Sequence, residues 1–210
     1  MKRRLQDNLK RVRERIEAAC ARARRPPSSV TLVGVTKYVS LEVIRLIVEA
    51  GLTDLGESRP QELIRRAAAT REWLGRRRAV EGKPPPEPHW HLIGPLQRNK
   101  VAKTLPWTSL IHSVDTLRLA EDIDAHSAKL DVVTPVLLEM NADDEPGKHG
   151  IAFPAAPHMV EVLSTLRHIR LCGLMAMGPN TPDESRIRFV FERMAEMFDD
   201  FRRKSGARED

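Results

Sequence analysis

Apolar positions recur along this chain in two alternating rhythms. At the start, Leu5, Leu9, Val12, Ile16 and Cys20 stand three or four apart, the stripe of an amphipathic helix. Val30–Lys37 (VTLVGVTK) is then a short apolar, β-branched run, which predicts a strand. Ser40 is placed to cap a helix over Leu41–Ala50, and Gly51 to end it. Asp54–Ser58 predicts a second strand, and Pro60 opens a helix that runs through the seventies. His89–Gly94 predicts a third strand, with a short helix from about Arg98. Leu110–Asp115 predicts a fourth, followed by a helix from Thr116 to about Lys129. Val132–Asn141 predicts a fifth, with a helix over about Ala155–Leu166. Ile169–Gly178 predicts a sixth, and a final helix covers about Asp183–Arg203.

These strands are apolar on both faces, as parallel strands covered by helices must be. Repeated βα units joined by short loops make either a doubly wound sheet or a (β/α)8 barrel. Both place ligands at the carboxyl ends of the strands. The polar residues found there are Lys37, Glu57 and Ser58, His91, His112 and Asp115, Asn141, and the Met175–Met177 segment. Residues 82–88 (GKPPPEP) read as a proline-rich surface loop, too short and too well flanked for a domain linker. Residues 1–210 are therefore expected to form a single domain.

Composition narrows the class. With 41% hydrophobic and 30% charged residues, the chain is neither disordered nor a membrane protein in character. No apolar run approaches the roughly 18–20 residues that span a bilayer. The N-terminus lacks the apolar core of a secretory signal. Cys20 and Cys172 share no motif, so neither a disulfide framework nor a cysteine metal site is expected, and a reducing cytoplasm fits. The net charge of +6 is concentrated: residues 1–25 hold ten Lys/Arg against three acids, and the rest of the chain holds 25 against 26. A nucleic-acid or membrane contact would use such a helix. Without interleaved aromatics or an RNA-binding motif, a docked helix with a solvated basic face is the preferred reading.

Lys37 is the sharpest chemical feature. Strand alternation puts Thr31, Val33, Val35 and Lys37 on one face. If that face lines a barrel, the amine tops an apolar wall, where desolvation favours its neutral form. A neutral lysine is the nucleophile that a Schiff base with an aldehyde needs. The plainer alternative is a lysine reaching out of a strand end into water. His89 and His91 share a strand face, but no third ligand stands at plausible spacing, so no metal site is expected. Asp143, Asp144 and Glu145, beside Lys148 and His149, lack the glycine and distal glutamate of a calcium loop and read as a solvated loop.

Several motifs follow one another in order. They are Val35-Thr36-Lys37, then Gly56-Glu57-Ser58-Arg59-Pro60-Gln61-Glu62, then His89 to Lys100 (HWHLIGPLQRNK). Ile111-His112-Ser113-Val114-Asp115 follows, then Asn141 with Lys148-His149-Gly150, then Gly173-Leu174-Met175-Ala176-Met177. This series resembles the pyridoxal phosphate homeostasis family of the YggS/PROSC type, from the first helix to about Phe201. The resemblance implies a barrel like the N-terminal domain of alanine racemase. It implies pyridoxal 5'-phosphate (PLP) as the cofactor, held as a Schiff base on Lys37. It further implies cofactor contacts at Ser58, His91, Asn141, Met175 and Ala176. The implied role is intracellular PLP homeostasis, with PLP-requiring apo-enzymes as partners and a monomer or weak dimer as the assembly.

Two departures qualify this. The family usually has Asn where Ser58 stands; the shorter hydroxyl is expected to lose the contact or to make it through water. The family also continues past the sixth strand with a Ser-Met-Gly-Met-Ser-like segment, a Gly-Ser/Thr element and an Arg-Ile-Gly strand, which supply most of the phosphate cup. This chain ends FDDFRRKSGARED. About six strands are then expected where the barrel has eight, with exposed apolar strand edges and weaker PLP binding than the family implies.

A racemase of this fold sets a tyrosine from a second domain opposite the lysine. The one tyrosine here, Tyr38, follows Lys37 directly and in an extended strand points the other way. Catalytic turnover is therefore not expected. A PLP-dependent racemase or lyase remains the alternative, as does a PLP-incompetent relative acting through its basic helix.

Overall fold

The computed structural model describes residues 1–81, 85–142 and 149–205. These fall into two compact units, Met1–His91 and Leu92–Asp210.

In the first unit, helix α1 spans Lys2–Arg22, α2 Leu41–Glu49 and α3 Pro60–Glu81. Strands β1 (Gly34–Val35), β2 (Asp54–Glu57) and β3 (His89–Leu92, ending at the unit boundary) lie in that order. β1 and β2 run parallel, with Gly34 opposite Leu55 and Val35 opposite Gly56. Helix α2 starts where Ser40 accepts a hydrogen bond from the Val43 amide at 3.4 Å, and the chain turns off it at Gly51, φ +79°. Ile44, Val48, Leu55, Leu63, Ala67 and Leu74 form the core. Burying each of the Val, Leu and Ile side chains among them contributes roughly 1.5–3 kcal/mol.

Helix α1 buries only Cys20. Two of its cations reach the end of α2: Lys2 Nζ lies 3.3 Å from Glu49, and Arg13 donates to the Gly51 carbonyl at 3.2 Å. Both meet the negative end of that helix.

β1 is much shorter than the Val30–Lys37 run predicts. It has one neighbour, β2, and its ladder stops at Thr36, whose amide donates to Gly56 O at 2.9 Å before the chain turns.

In the second unit, β4 (Leu110–Val114), β5 (Thr134–Glu139) and β6 (Ile169–Met175) lie side by side and parallel. Helices α4 (Val101–Thr104), α5 (Leu117–Lys129), α6 (Ala156–Ser164) and α7 (Glu184–Ser205) connect and follow them. Thr116 caps α5 by accepting from the Leu119 amide at 3.3 Å. Ile111, Val114, Ala120, Ile123, Val136, Leu138 and Leu163 are the core.

β5 begins later than the Val132–Asn141 run suggests. The Val132 amide closes α5 by donating to Ser127 O at 3.1 Å, after Asp131 takes a left-handed φ of +54°. Along β5, Thr134, Val136 and Leu138 are buried, while Pro135, Leu137 and Glu139 on the other face are only partly covered. The expectation of strands apolar and covered on both faces therefore holds for one face of β5. On β6, Arg170 and Cys172 are exposed. The register against β5 shifts there, so that Leu171 faces Val136 and Gly173 faces Leu137. Gly173 sits at φ +153°, with the Phe198 ring 3.4 Å from where a Cβ would stand.

Among the described residues, no helix is long and apolar enough to cross a membrane.

Candidate functional site

Two places at the carboxyl ends of strands carry chemistry, one in each unit. In the first unit β1 runs directly into a tight turn, Thr36–Val39, closed by Val39 N donating to Thr36 O at 3.2 Å. Lys37 and Tyr38 are its central residues, and Tyr38 has φ +70°, the value of the third position of a type II turn. Lys37 is exposed, and Tyr38 is 84% exposed. Val35 is 50% exposed, so the apolar wall expected beneath the lysine is not built by this strand.

Beneath the turn lies a buried polar network. Thr36 Oγ1 donates to Glu57 Oε1 at 2.8 Å. Arg66, on α3, places its Nε 3.2 Å from the same Glu57 oxygen, with side chains 7% and 1% exposed. Its Nη1 donates to two carbonyls, Thr36 O and Val39 O, each at 2.8 Å. Glu62 adds a second carboxylate, 3.3 Å from Arg66 Nε. The Arg65 hydrogen bond is the main reason the Glu62 carboxyl is held below its usual range. Ser58 follows β2 directly and is half-buried.

His91 on β3 is buried, with Nε2 3.2 Å from Asp54 Oδ1. His89 Nδ1 lies 3.4 Å from the same oxygen. Burial pushes the His91 ring below the ordinary imidazole range, against the opposing hydrogen bond and charge of Asp54. Asp54 opens β2, so the geometry seen at His91 is a structural tie to the amino end of a strand. Asp54 is the carboxylate beside the histidine pair that spacing did not reveal. Among the described residues, no group of three or more His, Cys, Asp or Glu is arranged to hold a metal.

In the second unit a cavity of ≈ 360 Å³ opens at the ends of β5 and β6. That is the lower range of small-molecule pockets, about 300–1,000 Å³. Glu139, Asn141, His149, Met175 and Met177 line it, with Ile93–Pro95. Ala176 lies between the two methionines and is half-buried.

The wall is built by backbone. Ile151 pairs with the end of β5, its amide donating to Glu139 O at 2.7 Å and its carbonyl accepting from Asn141 N at 3.0 Å. Gly150 makes this approach possible: a Cβ there would stand 2.5 Å from Asn141 N, and φ is +111°. His149 is thereby held 3.2 Å from Asp115 Oδ2. Burial pushes the Glu139 carboxyl above its usual range; Asp115 adds to this, and His149 opposes it. Asp143, Asp144, Glu145 and Lys148 lie outside the described residues, as do residues 82–84 of the proline-rich loop.

Sequence reasoning missed Arg66, Asp54 and Glu139. Arg66 carried one signal, a charge set among Leu63, Ala67 and Thr70 at helical spacing on a buried face.

The family model described as alanine racemase, N-terminal domain, matches residues 4–209. The pyridoxal phosphate homeostasis protein of Aquifex aeolicus (strain VF5) is 32% identical over 198 residues, 94% of this chain and 81% of its own length. That of Escherichia coli (strain K12) is 34% identical over 195 residues, 91% of this chain and 77% of its own. Among solved structures, an unknown protein from Bifidobacterium adolescentis matches with TM-score 0.84 and 35% identity, over 97% of this chain and 81% of that one. PipY of Synechococcus elongatus PCC7942, with PLP bound, matches with TM-score 0.73 and 27% identity, over 90% of this chain and 81% of that one. At 15% identity and TM-score 0.64, over 85% of this chain and 46% of that one, alanine racemase of Clostridium difficile 630 in complex with cycloserine shares the fold.

Proposed function

Because the chain belongs to the alanine racemase N-terminal domain family, and within it to the pyridoxal phosphate homeostasis proteins, we propose that it binds PLP covalently through Lys37 and serves PLP homeostasis rather than turnover. The observation that carries this is the Lys37 turn itself. A primary amine stands exposed at the carboxyl end of β1, on a backbone tied down at both ends. That is the group an aldehyde cofactor needs. Lys37 would hold the cofactor through its amine, the nucleophile for an aldehyde carbon, in a condensation whose by-product is water and which needs no oxidant or reductant. The reaction is reversible, which suits a protein that stores PLP and passes it to apo-enzymes.

The lack of turnover rests on the acid–base inventory. PLP supplies an electron sink when bound, but racemization also needs a base on each face of the substrate. The chain's single tyrosine, Tyr38, sits on the same turn as Lys37, next to it in sequence. Ser58, His91, Asn141, Met175 and Ala176 are proposed as further residues on which PLP affinity depends. The family match runs from residue 4 to 209, which supports reading the chain as one cofactor-binding domain; the place of action proposed for it is the cytoplasm, in keeping with two cysteines that share no motif.

The test is spectroscopic. The purified chain mixed with PLP gives a visible absorption band, and Lys37→Ala abolishes it. A band that survives Lys37→Ala, or no band at saturating PLP, overturns the assignment. Racemization of free amino acids by the PLP-loaded protein would overturn the reading of no turnover.

A further inference from the structure

Tyr38 is a non-glycine residue at φ +70°. For an L-residue this conformation is strained and persists only where the surroundings hold it. The usual occupant of that turn position is glycine. Tyr38 is almost fully exposed, so its own side chain does not supply the restraint. The restraint comes from below. One guanidinium, Arg66, donates to the carbonyls on both sides of the Lys37-Tyr38 pair, and Glu57 orients that guanidinium. Glu57 also accepts from Thr36, the residue just before the lysine.

A buried ion pair is a costly way to stabilise a fold, since desolvation cancels much of its attraction. Here it is spent on four backbone positions, and the reactive lysine is one of them. We infer that Arg66, oriented by Glu57, is a positioning residue for Lys37: it holds the Thr36–Val39 turn in the strained form that presents the amine to the PLP aldehyde. The inference rests on the proposed covalent role of Lys37. The Arg66 guanidinium is taken up by Glu57, Glu62 and two carbonyls, so its effect on PLP is exerted through the lysine. Free to relax, the turn would let Tyr38 leave the left-handed region, and Lys37 would swing with it. The amine would still be present, but a smaller share of the molecules would offer it in the right place.

A double-mutant cycle on the full chain tests this, with PLP affinity as the readout. PLP affinity is measured by equilibrium dialysis in four proteins: wild type, Arg66→Met, Lys37→Ala and the double variant. Arg66→Met is expected to weaken PLP about tenfold when Lys37 is present and to leave the residual affinity of Lys37→Ala unchanged. An equal loss in both backgrounds makes Arg66 a general structural residue and overturns the inference, as does no loss in either. If Lys37→Ala binds PLP as tightly as wild type, the covalent reading itself has failed, a result distinct from the other two.

Tyr38→Gly provides a rescue that a purely structural role would not predict. Glycine takes the turn without restraint, so Tyr38→Gly added to Arg66→Met should recover most of the lost PLP affinity while the melting temperature stays low. If affinity stays low, the strained turn is not what Arg66 holds. Where Arg66→Met does not fold, Arg66→Lys and Glu57→Gln are read in the same cycle, with a loss of about threefold expected only when Lys37 is present.

Discussion

The two strand ends that carry chemistry are built from different materials. The Lys37 turn is held from beneath by side-chain charges, a buried arginine that grips two backbone carbonyls and the carboxylate that orients it. The cavity of the second unit is walled by backbone pairing, a glycine with no room for a Cβ, and two methionines. An ion pair and its hydrogen bonds are directional and give a single geometry. Methionine is flexible and fits itself to what it touches. The covalent bond proposed for Lys37 calls for the first kind of support. A wall that must only accept a ligand's shape can use the second.

Substitutions on each side sharpen this contrast. The largest expected effect is Arg66→Met. It leaves Glu57 charged and buried without its partner, which costs roughly 3–5 kcal/mol. Urea denaturation should show this in the first unit, and Glu57→Gln should cost less, because the Thr36 hydrogen bond still has an oxygen acceptor. Next comes Gly150→Ala. A Cβ 2.5 Å from Asn141 N, at a φ of +111°, cannot fit without moving the Ile151 pairing. A cost of about 1–3 kcal/mol is expected. Hydrogen exchange should accelerate at the Asn141 and Ile151 amides while the amides around Lys37 stay protected. Equal acceleration at both places would break the comparison.

Two smaller effects depend on pH. The His91 ring is held below its ordinary range by burial. The unfolded chain therefore takes up this proton near pH 6.5, and the folded chain only below that. Stability is lost as pH falls through this window, with a slope of at most about 1.4 kcal/mol per pH unit. His91→Asn should remove that slope from the melting curve. Glu139 has the opposite sense. Its raised carboxyl means that the folded state holds a proton the unfolded state has already released, so its contribution is present at low pH and lost as pH rises. Glu139→Gln should melt slightly higher than wild type at neutral pH and lose that difference in acid.

Much of this protein is legible in the residue pattern. The order of strands and helices follows from periodicity and from caps such as Ser40 and Thr116, because those signals act over three or four residues. Lys37 is legible as a lysine ending an apolar run, and the motif series points to a PLP-binding family. Strand lengths were less legible. The Val30–Lys37 run predicts a longer strand than the Gly34–Val35 that β1 holds, since a ladder extends only as far as its neighbour pairs with it. The apolar setting expected for Lys37 is not built by β1, where Val35 is half exposed, because alternation tells which residues share a face but not what covers that face. Asn141 and Met175 lie where their strand positions put them, lining one cavity. His91 lies on its strand but is buried against Asp54, a partner 37 residues away.

By itself, then, the sequence determined the alternation of elements, the concentration of charge in α1 and the lysine that ends the first apolar run, all of which depend on neighbours in the chain. The tertiary structure alone decided what holds that amine. Arg66 lies 30 residues beyond the carbonyl of Thr36 that it grips, and Glu57 lies 21 residues beyond the Thr36 hydroxyl. No periodicity links such positions. They meet because α3 packs on β2 in the core, and a charge carried into that core must find its partner there.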